Sequence, residues 1–407
     1  MRQVKVREIL FGLLVVFAMC TAASQEALWS RPSLKSPEIH CDGSVTFRLY
    51  APEANRVEVS GDFLMTGNPE NQGAYVGEMT RNEDGVWEHT TPFALLSELY
   101  TYSFLVDGMR INDSSNAFVC RDVATLSSYF IIQGETGDLY SVADVPHGNI
   151  EKVWYASPSL NAVRRMSVYT PPGYRQGKDD YPELYLLHGM GGDEEAWLTL
   201  GREAQILDNL IAAGKTRPMI VVMPNGNVSQ QAAPGESSGG LAQPEFMLPR
   251  TMNGEMETSF MDIVTYVDSN YRTMQRKEGR AIAGLSMGGF HALHISKYYP
   301  ELFDYVGLFS AAILPGGIGD DTLPIIYTDF EKKLAVQFLN APQLYWIGIG
   351  REDFLYEVNK EFRTTLDGMG VKYVYRETEG GHTWRNWRIY LSAFVSSIFK
   401  ELPGRDR

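Results

Sequence analysis

Two patterns of apolar and polar positions divide this chain. From residue 38 to about 134 the apolar residues alternate in short runs, "SVTFRLYAP", "RVEVSGDF" and "YTYSFLVDG", the last ending on Asp107-Gly108. Period-two alternation puts one set of side chains on a single face of a strand, and Asp-Gly favours a tight hairpin turn. No long helical period appears until well past residue 150, so this stretch predicts a small all-β sandwich of about 100 residues. "ADVPHGNI" (143 to 150) breaks the pattern with Pro and Gly and reads as the connection to a second unit.

From 151 onward, near-continuous apolar runs alternate with helical spacing. "RRMSVYTPP", "YPELYLLHGMGG", "PMIVVMPNGN", "RAIAGLS", "YVGLFSA", "QLYWIGIG" and "KYVYRE" predict strands. "GREAQILDNLIAAGK", "MDIVTYVDSNYR", "GGFHALHISKYYP" (stopped by Pro300) and residues 354 to 368 predict helices. Strands alternating with helices imply an α/β unit whose parallel sheet is covered on both faces, with its site at the carboxyl ends of the strands.

The opening segment adds a third part. Arg2, Lys5 and Arg7 precede a short apolar run from Ile9 to Met19, and Ala22-Ala23-Ser24 offers small residues for cleavage. This predicts a signal peptide over 1–24, a sandwich over 25–140 and an α/β domain over 141–407, in a secreted or periplasmic protein with no stable membrane span. Lipid anchoring through Cys20 is disfavoured by the bulk of Met19. Cys41 and Cys120 remain in the mature chain, either as a disulfide or as small buried residues. The net charge of −14 argues against a nucleic-acid partner, which demands a basic surface. No Cys-x-x-Cys or His-Glu-x-x-His spacing occurs, so no metal or other cofactor is expected.

The chemistry concentrates in the α/β part. Gly284-Leu285-Ser286-Met287-Gly288 lies between a strand and a helix, the context in which Gly-x-Ser-x-Gly forms a strained turn that exposes a nucleophilic serine. His291 and His294 ride away from Ser286 on the following helix and read as packed or solvated residues. His382, in the glycine-flanked loop after "KYVYRE", is the expected general base. Asp353, beyond the strand "QLYWIGIG", is the expected orienting acid, with Glu352 in reserve. "LLHGMGG" (186 to 192) supplies the amide of Met190, which with that of Met287 would form an oxyanion hole, while His188 props the loop. A dinucleotide loop would need glycine at Glu194.

With these residues in place, "YPELYLLHGMGGDEEAW", "RAIAGLSMGG", "GREDFLYEVNK" and "GGHTW" resemble the esterase D-like feruloyl and acetylxylan esterases of carbohydrate esterase family one, over about 146 to 400. The resemblance implies an α/β-hydrolase fold, an acyl-serine intermediate, no metal, and the roles given above for Ser286, Asp353, His382, Met190 and Met287. "VTFRLYAPEANRVEVSGDF" and "GVWEHTTPFALLSELYTYSFLVDG" resemble family-48 carbohydrate-binding modules, which are immunoglobulin-like sandwiches. Trp87, Tyr100 and Tyr102 there either stack on sugar or fill the core. The expected substrates are plant polysaccharide esters such as arabinoxylan. Substrate choice is assigned to the loop 226 to 252 with Phe246, Met247 and Leu248, and to Trp197 and Trp384 near the mouth. An enterochelin-type siderophore esterase, a mycolyltransferase-like acyl transferase and a non-catalytic glycan-binding protein are the other readings.

Overall fold

The computed structural model describes residues 34–63, 75–241, 243–313, 324–400 and 402. The expected signal segment lies outside them. In the N-terminal part, alternation builds ten strands: β1 Glu38–Ile39, β2 Val45–Tyr50, β3 Val57–Gly61, β4 Tyr75–Glu78, β5 Thr80–Arg81, β6 Val86–Thr90, β7 Leu99–Val106, β8 Met109–Ile111, β9 Val119–Asp122 and β10 Thr125–Ile131. They form one sheet in the order β1-β2-β6-β5 and a second in the order β4-β3-β7-β10-β9, with β8 paired to β7. Val45, Phe47 and Leu49 of β2 point inward with Tyr100, Tyr102 and Phe104 of β7, giving a core rich in aromatic rings. Trp87, Tyr100 and Tyr102 are buried in that core, which rules out sugar stacking by them in this fold. Cys41 and Cys120 are both free thiols, one exposed and one buried, so the bridge left open above does not form.

A short helix, α1 Glu135–Tyr140, leads into the second sheet: β11 Asn149–Ser157, β12 Ala162–Thr170, β13 Glu183–Leu187, β14 Ile220–Pro224, β15 Arg280–Leu285, β16 Tyr305–Phe309, β17 Leu344–Gly350 and β18 Val374–Thr378. Their order is β11-β12-β14-β13-β15-β16-β17-β18. From β14 to β18 all neighbours run parallel, as the buried apolar runs predict, but β11–β12 and β12–β14 pair antiparallel. The sequence reading left out β11, an edge strand with alternate positions in solvent, where a one-sided pattern hides among polar residues.

The helices are α2 Ala196–Thr199, α3 Glu203–Ala212, α4 Glu255–Thr258, α5 Phe260–Asn270, α6 Met287–Tyr298, α7 Phe330–Leu339, α8 Tyr356–Gly368 and α9 Trp384–Val395. Ile263, Leu293, Leu334 and Phe362 pack α5, α6, α7 and α8 on one face of the sheet. Ile206, Leu207, Tyr390 and Phe394 pack α3 and α9 on the other. Each fully buried Leu, Ile or Phe contributes about 1.5–3 kcal/mol, so the two cores hold the carboxyl ends of β13, β15, β17 and β18 in fixed register. Among the described residues no helix is long and apolar enough to cross a membrane.

The sandwich is joined to the α/β domain by buried polar contacts. Arg388 of α9 donates to Glu98 Oε1 (3.0 Å) and to the carbonyls of Leu99 and Leu200. Arg385, one turn earlier, donates to the Asp62 carbonyl at 3.0 Å.

Candidate active site

The turn after β15 is the most constrained point of the domain. Ser286 has φ 53° and ψ −116°, a region that side-chain-bearing residues avoid at a cost of about 1–3 kcal/mol. Its backbone is held on both sides: its N–H donates to Phe309 O at 2.9 Å, and its carbonyl accepts from Phe290 and Ala312 N–H. A Cβ at Gly284 would sit 2.3 Å from the Gly288 carbonyl oxygen, and one at Gly288 would sit 2.4 Å from Leu187 O. Only hydrogen fits at either glycine, which is the steric content of the Gly-x-Ser-x-Gly spacing. Ser286 remains partly exposed while its neighbours Leu285 and Met287 are buried.

The expected acid and base follow β17 and β18. Asp353 follows β17 with its carboxylate buried, and Leu355 N–H donates to its Oδ1 at 2.9 Å. His382 Nδ1 donates to Asp353 Oδ2 at 2.9 Å and Oδ1 at 3.1 Å. A carboxylate can only accept, so Nδ1 carries a proton, and it is the neutral tautomer of that kind whose Nε2 lone pair a general base requires. Phe354 and Trp387 hold the imidazole, with ring centroids 4.5 and 4.9 Å away. Glu352 is exposed and makes no such bond. A chain of contacts links the pair to the serine turn: Leu355 O accepts from Asn359 Nδ2, which also donates to Ala311 O, and Ala312 N–H donates to Ser286 O. Among the described residues no hydrogen bond joins Ser286 Oγ to the imidazole, a contact that commonly tightens only when substrate binds.

Opposite the serine, residues 189–192 form a turn closed by Gly192 N–H to Gly189 O at 3.1 Å. It lies against Ser286, since a Cβ at Gly189 would stand 3.3 Å from Ser286 Cβ. His188 Nε2 takes a hydrogen bond from Gly226 N–H at 2.7 Å, so the ring proton sits on Nδ1 and is donated to Gly189 O at 2.8 Å. Burial holds this imidazole well below the usual histidine range, which keeps it neutral and in that tautomer. Because the peptide is planar, fixing the Gly189 carbonyl also fixes the direction of the Met190 N–H. The Met287 N–H begins α6 and has no partner within the helix.

The other expected positions divide. Trp384 is half-buried and lines a cavity of about 590 Å³ between the two domains, together with His382 and Arg385. Trp197 is 1% exposed: it packs edge-on against Trp384 and donates Nε1–H to Leu187 O, so it supports the mouth from within and does not face substrate. Phe246 is exposed and does not line that cavity. His291 and His294 are buried on α6, the first bonded through Nδ1 to Glu257 at 2.8 Å and the second held in tilted and edge-on contact with Phe290 and Tyr327. Two groups of residues were missed. Asp62, Thr101, Arg110 and Asp122 of the sandwich form the far wall of the cavity, and Met252, Phe290, Leu355 and Tyr327 join Met190 and Met287 in an apolar cluster by the serine. Their positions follow from tertiary folding and leave no local signal. Among the described residues no group of three or more His, Cys, Asp or Glu is placed to hold a metal ion.

Comparison with known proteins is consistent with this geometry. Residues 157–347 match the family described as putative esterase, and residues 36–117 match carbohydrate-binding module 48, the isoamylase N-terminal domain. An endo-1,4-beta-xylanase/feruloyl esterase of Xylanibacter ruminicola is 32% identical over 91% of this chain and 47% of its own length, so the chain spans about half of that relative. A solved ferulic acid esterase superposes with a TM-score of 0.51 at 27% identity, over 61% of this chain and 97% of that one. The enterobactin esterase of Shigella flexneri superposes with a TM-score of 0.60 over 91% of this chain and 97% of its own, at an identity of 18% that speaks to fold alone. The chain therefore pairs a segment similar to the putative esterase family with an N-terminal segment similar to carbohydrate-binding module 48.

Proposed function

We propose that the protein is an exported serine esterase that removes feruloyl or acetyl groups from arabinoxylan or its oligosaccharides. The observation that carries this reading is the strained Ser286 turn together with a His382 whose Nδ1–H is held by buried Asp353. In the proposed reaction His382 Nε2 takes the Ser286 proton as Oγ attacks the acyl carbonyl carbon. The oxyanion accepts from the Met190 and Met287 N–H groups, each worth about 3 kcal/mol in the transition state by comparison with other hydrolases. The imidazolium then protonates the departing sugar oxygen, leaving an acyl-serine, and water activated by the same imidazole releases the acid. The inter-domain cavity beside His382 is polar on its sandwich wall and takes the sugar side of the ester in this reading. The similarity to a xylanase/feruloyl esterase supports the choice of acyl group and polymer. Ser286→Ala is expected to abolish turnover of methyl ferulate and acetylated xylan without loss of fold. Retained turnover, or a catecholate siderophore ester cleaved in preference to both, would sink the proposal.

A further inference from the structure

The turn between β9 and β10 carries a residue that its local chemistry does not favour. Asp122 pairs with Thr125, leaving a two-residue hairpin of Val123 and Ala124. Val123 has φ 52° at the position where such hairpins prefer glycine. A β-branched side chain in the left-handed region is a true outlier, and such strain persists only where the surroundings over-determine it.

Those surroundings belong to the other domain. The Val123 side chain fills the space beside Gly191: a Cβ added to that glycine would lie 2.4 Å from Val123 Cγ2. Gly191, with φ +73°, is the residue after Met190 in the turn that faces Ser286. Arg121, two residues before Val123, donates Nη1–H to the Val123 carbonyl at 2.9 Å and pairs through Nη2 with Asp193 Oδ2. Asp193 is buried, and its other oxygen accepts from Glu195 N–H at 3.0 Å, so one carboxylate ties the sandwich to the exit of the same turn.

We infer that Arg121 and Val123 are positioning residues for ester hydrolysis, the sandwich hairpin acting as a brace that holds the 189–192 turn, and with it the Met190 N–H, at the place of the developing oxyanion. His188 fixes this turn from inside the α/β domain, and the hairpin fixes it from outside. The N-terminal module then acts on the chemical step itself, even for an ester too small to reach the inter-domain cavity. This rests on the Met190 amide being an oxyanion donor, as in the function proposed above.

The test uses the full chain and 4-nitrophenyl acetate. Val123→Gly relieves the left-handed backbone, so it should unfold at the temperature of the unmodified protein or higher, yet lose about tenfold in kcat with little change in KM, the size of effect a small misplacement of a catalytic group produces. Arg121→Ala should move kcat in the same direction and Arg121→Lys should restore part of it. A packing role without a catalytic one would lower stability and leave kcat alone. A role confined to glycan binding would raise KM for xylan only. If folded Val123→Gly and Arg121→Ala both keep full kcat, the brace is overturned. Met190→Pro, which deletes the amide, separates the two readings. If that variant keeps its kcat, the oxyanion assignment has failed; if it alone loses kcat, the brace has.

Discussion

Glu98 and Arg388 form a buried ion pair across the domain boundary, and its removal gives a graded prediction. Each side chain is 3% exposed, and the Arg388 Nη2 to Glu98 Oε1 distance is 3.0 Å. Glu98→Gln keeps the shape but leaves a buried guanidinium without its counter-charge, still bonded to the Leu99 and Leu200 carbonyls. Breaking one side of such a pair costs about 3–5 kcal/mol, and the two remaining acceptors place this variant near the lower end. Arg388→Met leaves the Glu98 carboxylate with the Leu99 N–H and the more distant Arg385, whose Nε is 3.9 Å away, and should cost a similar amount. The double variant leaves neither charge behind, so the cycle should show a coupling of at least about 2 kcal/mol. Urea unfolding followed by tryptophan fluorescence reports it directly, because Trp384 and Trp387 lie on the same helix. Both single variants should also split the unfolding curve, the sandwich melting apart from the α/β domain. Coupling below about 0.5 kcal/mol with one coincident transition would refute the idea that this pair joins the domains.

Two other perturbations follow from single sites. Glu203 is fully buried with neither oxygen bonded, and burial aided by nearby Asp208 pushes its carboxyl well above the usual range. The folded state keeps a proton that the unfolded state releases near pH 4.5, so this group lowers stability as pH rises above that value, by about 1.4 kcal/mol per unit. Glu203→Gln should flatten the pH dependence of the urea midpoint between pH 5 and 7, and an unchanged slope would contradict this. Gly288→Ala puts a methyl group 2.4 Å from Leu187 O and 2.6 Å from His188 O, so it should cost about 1–3 kcal/mol and reduce kcat by forcing the serine turn away from the Met190 loop. A folded, fully active Gly288→Ala enzyme would show that the close approach is not required.

What the sequence revealed and what it concealed have a common cause. Ser286 and Asp353 each follow a buried apolar strand and His382 the polar edge strand β18, and a strand end is a local signal, so three residues distant in sequence could be proposed as one site. Trp384, Trp387, Leu391 and Phe394 recur at helical spacing, but the glycines around His382 read as loop and conceal that α9 begins two residues later. Trp197 misled because an aromatic near a catalytic loop looks the same in sequence whether it lines the mouth or supports it. Its bond to Leu187 O, the residue before His188, shows the supporting role. The sandwich contacts were out of reach for a stronger reason: Val123, Arg121 and Glu98 lie in segments that read as complete in themselves, and nothing in a hairpin states which surface it will meet.

That last point changes how the two domains should be understood. Ser286, Gly191, Val123 and Ser310 all have positive φ, and the Val123 side chain packs against Gly191. Strain of this kind, of order 1–3 kcal/mol at each side-chain-bearing residue, must be offset by cores elsewhere. For Ser286 the offset comes from β15 and β16, both buried along their whole length. Val123 projects from a short edge hairpin whose exposed neighbours Val119 and Leu126 bury little, so the hairpin alone is a weak source of that energy. The contact with Gly191 and the Arg121–Asp193 pair reach across to the other domain, which under the brace proposal keeps the turn in place. A module that only delivered substrate would need no strained residue at this point. One that braces the 189–192 turn beside Ser286 does.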